Sequence, residues 1–422
     1  MNMSRKVQEL QDKLFHAAKQ SLDRKFGALY DKIYRDDVLL EAWRKVRANK
    51  GAPGIDEQSI EYIEKELGVE SFLKEIHDQL KNKTYRPYPV KRCWIEKPGK
   101  PDKRPLGIPI VKDRVIQMAT KLVIEPIFEA NFLECSHGFR PNRTMQEAID
   151  KIRRKITFEH QVVVIDADIK GFFDNINQSI LMKLLKKRIS DKWVLKLIGK
   201  WLRAGAIDKG VFIESNGLGV PQGGVISPLL SNICLHSFDK MFQLSGIPGT
   251  LVRYADDFVI LLKLGVNAKL VLERVKQMLS RLGLTIHPEK TRIVDAKNGF
   301  DFLGVHFRLT PVKKQKSRLK LSCQLWPSDR SLQRIKENVR KVIGRRYSLS
   351  LEDLIAELNP VLRGWFNHFK PVCHNMGRFL RLNYFVIERL RIFLKRKYSD
   401  ATRGQRRVSG GILSRLGLFR FA

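Results

Sequence analysis

Two adjacent carboxylates interrupt the run Leu251-Val252-Arg253-Tyr254-Ala255-Asp256-Asp257-Phe258-Val259-Ile260-Leu261-Leu262. The apolar flanks read as two short strands, so the acidic pair falls at the tip of a tight hairpin. Two anions on one half-buried turn are costly, because each raises the proton affinity of the other. A hard divalent cation such as Mg²⁺ prefers carboxylate oxygens and removes that cost. An ordinary polar turn, where Asp is common, is the competing explanation. A second acidic element shifts the balance. Val162-Val163-Val164-Ile165-Asp166-Ala167-Asp168-Ile169 reads as an apolar strand ending in acid. Strand alternation sets Asp166 and Asp168 on the same face. A third carboxylate beside the pair completes the donor set of a two-metal site, with ions about 3.5–4 Å apart, as nucleotidyl transfer requires.

Charge narrows the partners. Among 422 residues there are 79 Lys and Arg against 44 Asp and Glu, a net charge of +35. The 43% hydrophobic content is enough for packed cores and excludes wholesale disorder. A globular chain this basic points first to nucleic acid. Residues 306–422 hold 27 Lys and Arg against 7 Asp and Glu, so more than half of the excess lies in the last stretch. No run of about 18 apolar residues predicts a membrane span. The start, Met1-Asn2-Met3-Ser4-Arg5-Lys6, lacks the apolar core of a signal peptide. Cys93, Cys135, Cys234, Cys323 and Cys373 are widely spaced without a Cys-x-x-Cys pair, and read as reduced thiols of an intracellular protein. A cytoplasmic, nucleoid- or ribonucleoprotein-associated location is expected, with no membrane partner.

Periodicity predicts helix over the first 50 residues, ended by Asn49-Lys50-Gly51-Ala52-Pro53-Gly54, and again over 59–80. Strands are expected over 90–96 and 106–110, with a turn-rich basic loop between them at 97–104. Helix 112–128, strand 161–169, helices over 179–204, the hairpin 251–262 and helix 268–282 follow. After Phe307 the pattern reads as almost wholly helical. Leu332, Ile335, Val339, Val342 and Ile343 form one stripe, and Ser350 with Asp353 offers a cap for the next helix. The middle is mixed α and β without a βαβ rhythm.

Tyr254-Ala255-Asp256-Asp257 resembles the signature of reverse transcriptases, and Asp168 with Phe173 resembles their first carboxylate motif. The resemblance implies that Asp168, Asp256 and Asp257, with the backbone carbonyl of Ile169, hold two Mg²⁺ ions for which Mn²⁺ can substitute. Asp166 fits the strand but stands at the wrong distance from Phe173. The resemblance makes Phe173 a steric gate against the ribonucleotide 2′-hydroxyl. Val220-Pro221-Gln222-Gly223-Gly224 resembles the loop that meets the incoming nucleotide and template. Paired glycines suit close backbone approach, and Gln222 offers both donor and acceptor. By the same likeness Lys97 and Arg104, with Lys103 as the alternative, bind the triphosphate. Arg140 of His137-Gly138-Phe139-Arg140-Pro141 holds the finger loop or template. Lys290 of His287-Pro288-Glu289-Lys290-Thr291 supports the nucleotide site. Leu303 and Gly304 of Phe302-Leu303-Gly304 belong to a primer-grip hairpin.

Leu29-Tyr30-Asp31-Lys32-Ile33-Tyr34, Lys50-Gly51-Ala52-Pro53-Gly54-Ile55-Asp56 and Leu362-Arg363-Gly364-Trp365-Phe366-Asn367-His368-Phe369 look like segments of group II intron enzymes. The fold implied is α+β, a right-hand polymerase whose fingers and palm carry antiparallel sheet, followed by an all-helical thumb. The expected divisions are an N-terminal helical extension 1–56, fingers and palm 57–307, thumb or maturase (X) domain 308–400 and a basic tail 401–422. The implied activity is RNA-directed DNA polymerisation from dNTPs on a DNA primer, copying a structured intron RNA whose splicing the protein also promotes. The HNH endonuclease that ends many such proteins has no counterpart in the sequence, so priming from an existing 3′ end is expected. Two other readings stay open: a domesticated relative in phage defence or DNA repair, and an RNA-binding splicing chaperone with an idle polymerase site.

Overall fold

The computed structural model describes residues 2–96, 103–313, 319–373, 376–398 and 410–421. The chain opens with α1 (Asn2–Gln20), α2 (Tyr30–Ile33) and α3 (Asp36–Ala48). The helix expected over 59–80 is split into α4 (Ile60–Tyr62), a π-turn at Ile63–Leu67 and α5 (Val69–Lys81). Gly68, at φ +74°, breaks it, because that conformation suits glycine and ends helical hydrogen bonding. Then come β1 (Val90–Glu96), β2 (Lys103–Ile108), α6 (Val111–Glu129), α7 (Met145–Phe158) and β3 (Val163–Asp168). The short α8 (Phe172–Asn175), α9 (Gln178–Lys186) and α10 (Lys192–Arg203) lead to a hairpin of β4 (Ala206–Asp208) and β5 (Val211–Ile213). After α11 (Ser227–Leu244) follow the hairpin of β6 (Gly249–Tyr254) and β7 (Asp257–Leu262), α12 (Ala268–Ser280), β8 (Arg292–Asp295) and β9 (Phe300–Phe302).

The segment after Phe307 is not wholly helical. β10 (Val305–Lys313) pairs antiparallel with β11 (Leu319–Pro327) before α13 (Asp329–Ile343), α14 (Leu351–Phe369), α15 (Met376–Tyr398) and α16 (Gly410–Arg415). The pattern there has period two. Phe307, Leu309, Cys323 and Leu325 are buried, while Arg308 and Gln324 alternate with them. The basic residues between the strands hid that alternation.

Among the described residues three sheets result, in the orders β2-β1-β4-β5, β11-β10-β9 and β6-β7-β3-β8. All pairings are antiparallel except β1 with β4. The third sheet is apolar on both faces. Ile165, Leu251, Phe258, Ile260 and Leu262 join a core with α1, α3, α6 and α11. Val164, Val252, Val259 and Leu261 join a second core with α7 and α13–α15. The C-terminal stretch seals that second core: Leu413 and Phe421 are buried, and Asn359 and Asn383 accept the backbone N–H groups of Phe419 and Phe421, each at 2.8 Å. No helix among the described residues is long and apolar enough to cross a membrane.

Candidate active site

The β6–β7 hairpin closes through the pair Tyr254↔Asp257, leaving Ala255 and Asp256 as its turn. β3 lies beside β7 in the register Asp168↔Asp257. Residues directly opposed on antiparallel strands carry their Cβ atoms about 4.5–5.5 Å apart. Two acidic elements nearly ninety residues apart in the chain therefore meet at one sheet end. Asp166 lies one step back on the same face, opposite Val259 and Arg292.

The electrostatics record the crowding. Surrounding protein first, then the charges of Asp256, Asp168 and Asp166, push the Asp257 carboxyl up to about 7. Asp257 is nonetheless open to solvent on one side, where water screens its neighbours' charges. Burial and the Asp168 charge raise Asp256 as well, and burial raises Asp166 to about 6. Lys290 answers part of this charge, its ammonium resting against the Asp168 carboxylate. Its segment is zipped to the end of β3: His287 N–H donates to the Asp168 carbonyl at 2.8 Å and Lys170 N–H to the Thr285 carbonyl at 2.9 Å.

Beneath the turn lies a network that sequence reasoning missed. Arg253 and Asp239 are both fully buried and paired, with Nε–Oδ1 at 2.8 Å and Nη2–Oδ2 at 2.6 Å. The same guanidinium donates to Asn232 Oδ1 at 3.1 Å, Ser136 Oγ at 2.7 Å and the Ala255 carbonyl at 2.9 Å. That last bond holds the turn at a strained point, since Ala255 has φ +57°, a conformation that L residues adopt at a cost of about 1–2 kcal/mol. Gly138 packs directly below, where a Cβ would lie 2.4 Å from the Ala255 nitrogen. The available signal was a lone Arg inside an apolar strand. Its partner on α11 could not be named without the fold.

Arg140 departs from its expected place at the finger loop or template. It is buried, its Nε 3.0 Å from both Glu129 oxygens and its Nη1 donating to the carbonyls of Leu133 and Ser136 at 2.7 and 2.8 Å. A guanidinium so fully engaged braces the 129–140 segment.

Phe173 and the 220–224 loop are stapled together. Val220 N–H donates to the Phe173 carbonyl at 2.8 Å, and Gly107 N–H of β2 to the Gln222 carbonyl at 2.6 Å. Gly223 is required, because at φ +106° a Cβ would also meet the Gly107 oxygen at 2.5 Å. Gly224 is buried and begins the turn into α11. Arg104 and Lys103 are exposed on β2, while Lys97 lies outside the described residues. Leu303 and Gly304 form the β9–β10 turn, and the Gly304 carbonyl accepts from Ser328 N–H at 2.9 Å and Ser331 Oγ at 2.8 Å, which ties the turn to α13. A cavity of about 320 Å³ opens under the 220–224 loop beside Arg92, Asp174 and Gln178. The carboxylates do not line it. They stand at an open edge, as suits a substrate the size of a duplex.

The reverse transcriptase (RNA-dependent DNA polymerase) family model matches residues 95–307. The model of the group II intron maturase-specific domain matches residues 332–409. "Protein YkfC" of Escherichia coli (strain K12) is 34% identical over 338 residues, covering 71% of this chain and 87% of YkfC. The chain belongs to the group II intron reverse transcriptase/maturase family. "Group II intron-encoded protein LtrA" of Lactococcus lactis subsp. cremoris is 37% identical over 225 residues, 53% of this chain and 36% of LtrA. An "Uncharacterized 91 kDa protein in cob intron" of Schizosaccharomyces pombe is 27% identical over 445 residues, 84% of this chain and 52% of that protein. The chain thus spans most of YkfC but about half or less of the other two. By family this reverse transcriptase is an RNA-directed DNA polymerase, a class that uses divalent metals such as Mg²⁺.

The donor set fits such a cation. Three hard carboxylates crowd one sheet end, and their raised proton affinity is the penalty that a positive ion relieves. Among the described residues, no three His, Cys, Asp or Glu side chains already converge as a finished metal cluster. Asp168 instead meets the Lys290 ammonium.

Proposed function

We propose that the chain copies intron RNA into DNA at the Asp168–Asp256–Asp257 edge, and that its basic C-terminal helices bind the same intron RNA to promote splicing. The observation that carries this is the Asp168↔Asp257 register beside the Tyr254–Asp257 turn. In this reading β2-β1-β4-β5 belongs to the fingers, β6-β7-β3-β8 is the palm and α13–α15 form the thumb of a right-hand polymerase. In this reading the thumb begins at α13, since the expected division at 308 falls inside β10; the division at 57 falls between α3 and α4, and that at 401 outside the described residues.

Asp168, Asp256, Asp257 and the Ile169 carbonyl would hold two Mg²⁺ ions. When bound, these ions supply charge stabilisation for in-line displacement at the α-phosphate of a dNTP. The chain's own residues position the reactants. Lys290 offsets the charge of Asp168 and stands by the nucleotide site. Arg104 and Lys97 meet the triphosphate, where negative charge builds on the leaving pyrophosphate. Gln222, with the backbone of Gly223 and Gly224, orients the new base pair. Leu303 and Gly304 steady the primer end. Phe173, half-buried against Phe172 and tied through its carbonyl to Val220, stands where a 2′-hydroxyl would press.

The test is extension of a DNA primer on an RNA template with dNTPs and Mg²⁺, using the full chain. DNA product is expected. Its absence, with intron RNA still bound, would leave only a splicing role. Phe173→Val is expected to raise ribonucleotide incorporation relative to deoxynucleotide at least about tenfold, since steric exclusion is lost without new hydrogen bonds. Competition between a ribonucleotide and its deoxynucleotide in the same assay reads this out. An unchanged ratio would remove the gate from Phe173.

A further inference from the structure

Lys83 stands where glycine commonly ends a helix. It takes φ +62° just beyond α5, and its N–H and that of Thr84 return to the carbonyls of Leu80 and Gln79, each at 3.0 Å. An L side chain in this left-handed conformation is strained, and glycine would relieve it. What the strain secures is placement. The Lys83 ammonium lies 4.4 Å from the centroid of the Trp193 ring, and the Lys196 ammonium lies 4.5 Å from the same ring. Trp193 is 37% exposed, and Tyr88 nearby in sequence to Lys83 is 52% exposed.

The cations of this face outnumber its acids, of which Asp191 caps α10. Among the described residues, no ion pair joins Lys83, Arg86, Lys192, Lys196 or Lys200 to a carboxylate. Lys200 donates to the Tyr85 carbonyl at 2.5 Å, and burial together with the charges of Arg86 and Lys196 lowers its pKa. The N-terminus of α10 is the positive end of its dipole and favours acids, yet its first turn holds Lys192 and no acid. The N-cap Asp191 is spent on backbone, accepting from the N–H groups of Leu29, Tyr30 and Trp193 at 2.9 Å and of Val194 at 3.3 Å. A plain solvated face, with Lys83 drawn to the C-terminal dipole of α5, accounts for Lys83 alone. It leaves Lys192 in the first turn of another helix, where a cation is disfavoured.

We propose that this face is a second nucleic-acid platform, separate from the polymerase edge, that docks a single-stranded RNA segment. Phosphates lie along Lys83, Arg86, Lys192 and Lys196, and one base stacks on Trp193. The two lysines swing from the indole to the phosphates and bare the ring as the base arrives. This combination of basic track and aromatic platform binds unpaired strands and leaves duplex aside. The far end of α10, where Leu202 borders the cavity under the 220–224 loop, is about 14 Å away at 1.5 Å per residue. The platform draws only on the chain's dealing with RNA and not on the carboxylate mechanism.

The experiment uses the full chain and a labelled, unstructured RNA of about 12 nucleotides, a length suited to one such groove. Fluorescence anisotropy is followed over a salt series, with the polymerase cleft filled by an unlabelled primer–template duplex. Trp193→Ala is expected to weaken binding about 5- to 50-fold. Lys83→Gln with Lys196→Gln is expected to flatten the dependence of log K on log salt by about 1.4, for two lost phosphate contacts on a single strand. Lys83→Gly is expected to weaken binding while melting no earlier than the parent, because it removes both the ammonium and the strain. Primer extension at saturating template should be unchanged in all three. Unchanged RNA affinity and salt slope in Trp193→Ala and in the double lysine variant would make this a solvated face and overturn the proposal. A parallel fall in primer extension would assign these residues to the polymerase cleft and overturn it equally. A platform that fails beside intact DNA synthesis leaves the proposed polymerase untouched.

Discussion

With Asp256 and Asp257 both replaced by Ala, primer extension on RNA is expected to fall at least about a thousandfold, while intron RNA is bound as before. On the proposed mechanism the carboxylates serve the reaction, while their ionised forms oppose the fold, so stability should move the other way. In the unfolded chain the Asp257 carboxyl titrates near its ordinary 3.8, and in the folded chain near about 7. Folding therefore takes up a proton between these values. The contribution of Asp257 is fully favourable below about pH 4 and is lost as pH rises through 7. At pH 8 its ionised form weighs against the folded state. Asp257→Asn should thus melt later than the parent at pH 8, by about 1–3 °C once solvent screening of its open side is allowed for. It should also flatten the fall in melting temperature between pH 4 and pH 8. Calorimetry across that range, run beside primer extension, checks both halves. Residual synthesis within tenfold of the parent would remove this pair from the chemistry.

Arg253→Met is expected to lose about 3–5 kcal/mol of stability, because Asp239 is left charged, buried and alone. A urea melt measures this loss. The second variant is the sharper one. Arg253→Met with Asp239→Leu removes both charges and should recover most of the loss, as apolar replacements of buried ion pairs commonly do. It cannot restore the bond to the Ala255 carbonyl. If the network positions the catalytic turn, the stabilised double variant still extends primers at least about tenfold more slowly, chiefly in kcat. If the pair serves stability alone, activity returns with stability. Arg253 touches no reacting atom in this scheme and acts through the turn.

The site was legible where local pattern and chemistry coincide. Asp168 ends one apolar strand, Asp256 and Asp257 sit where two others turn, and alternation set Asp166 and Asp168 on one face before any register was known. What sequence could not give was the pairing across distance. Nothing near Arg253 names Asp239 or Ser136, and nothing in His137-Gly138-Phe139-Arg140-Pro141 says that Arg140 meets Glu129. The family likeness suggested the finger loop or template for Arg140, whereas its guanidinium is committed to Glu129, Leu133 and Ser136. The β10–β11 hairpin was missed for another reason: a basic run and strong helical stripes downstream masked a true two-residue period. Gly68 likewise broke a helix whose apolar spacing looked continuous.

The sheet that carries the carboxylates is greasy on both sides, and α7, which lies on one of them, belongs to a core that continues into β11 and the helices after it. A fragment trimmed to the polymerase motifs, stopping near residue 307, would strip α7 of β11 and of the segment after α14, and bare that shared core to water. Such a piece would clump before it could be assayed. The reverse transcriptase and maturase-specific segments are therefore not detachable modules on a string. Any change in the C-terminal helices must also preserve the core that continues under the Tyr254–Asp257 hairpin, so the two segments are bound to vary as one body.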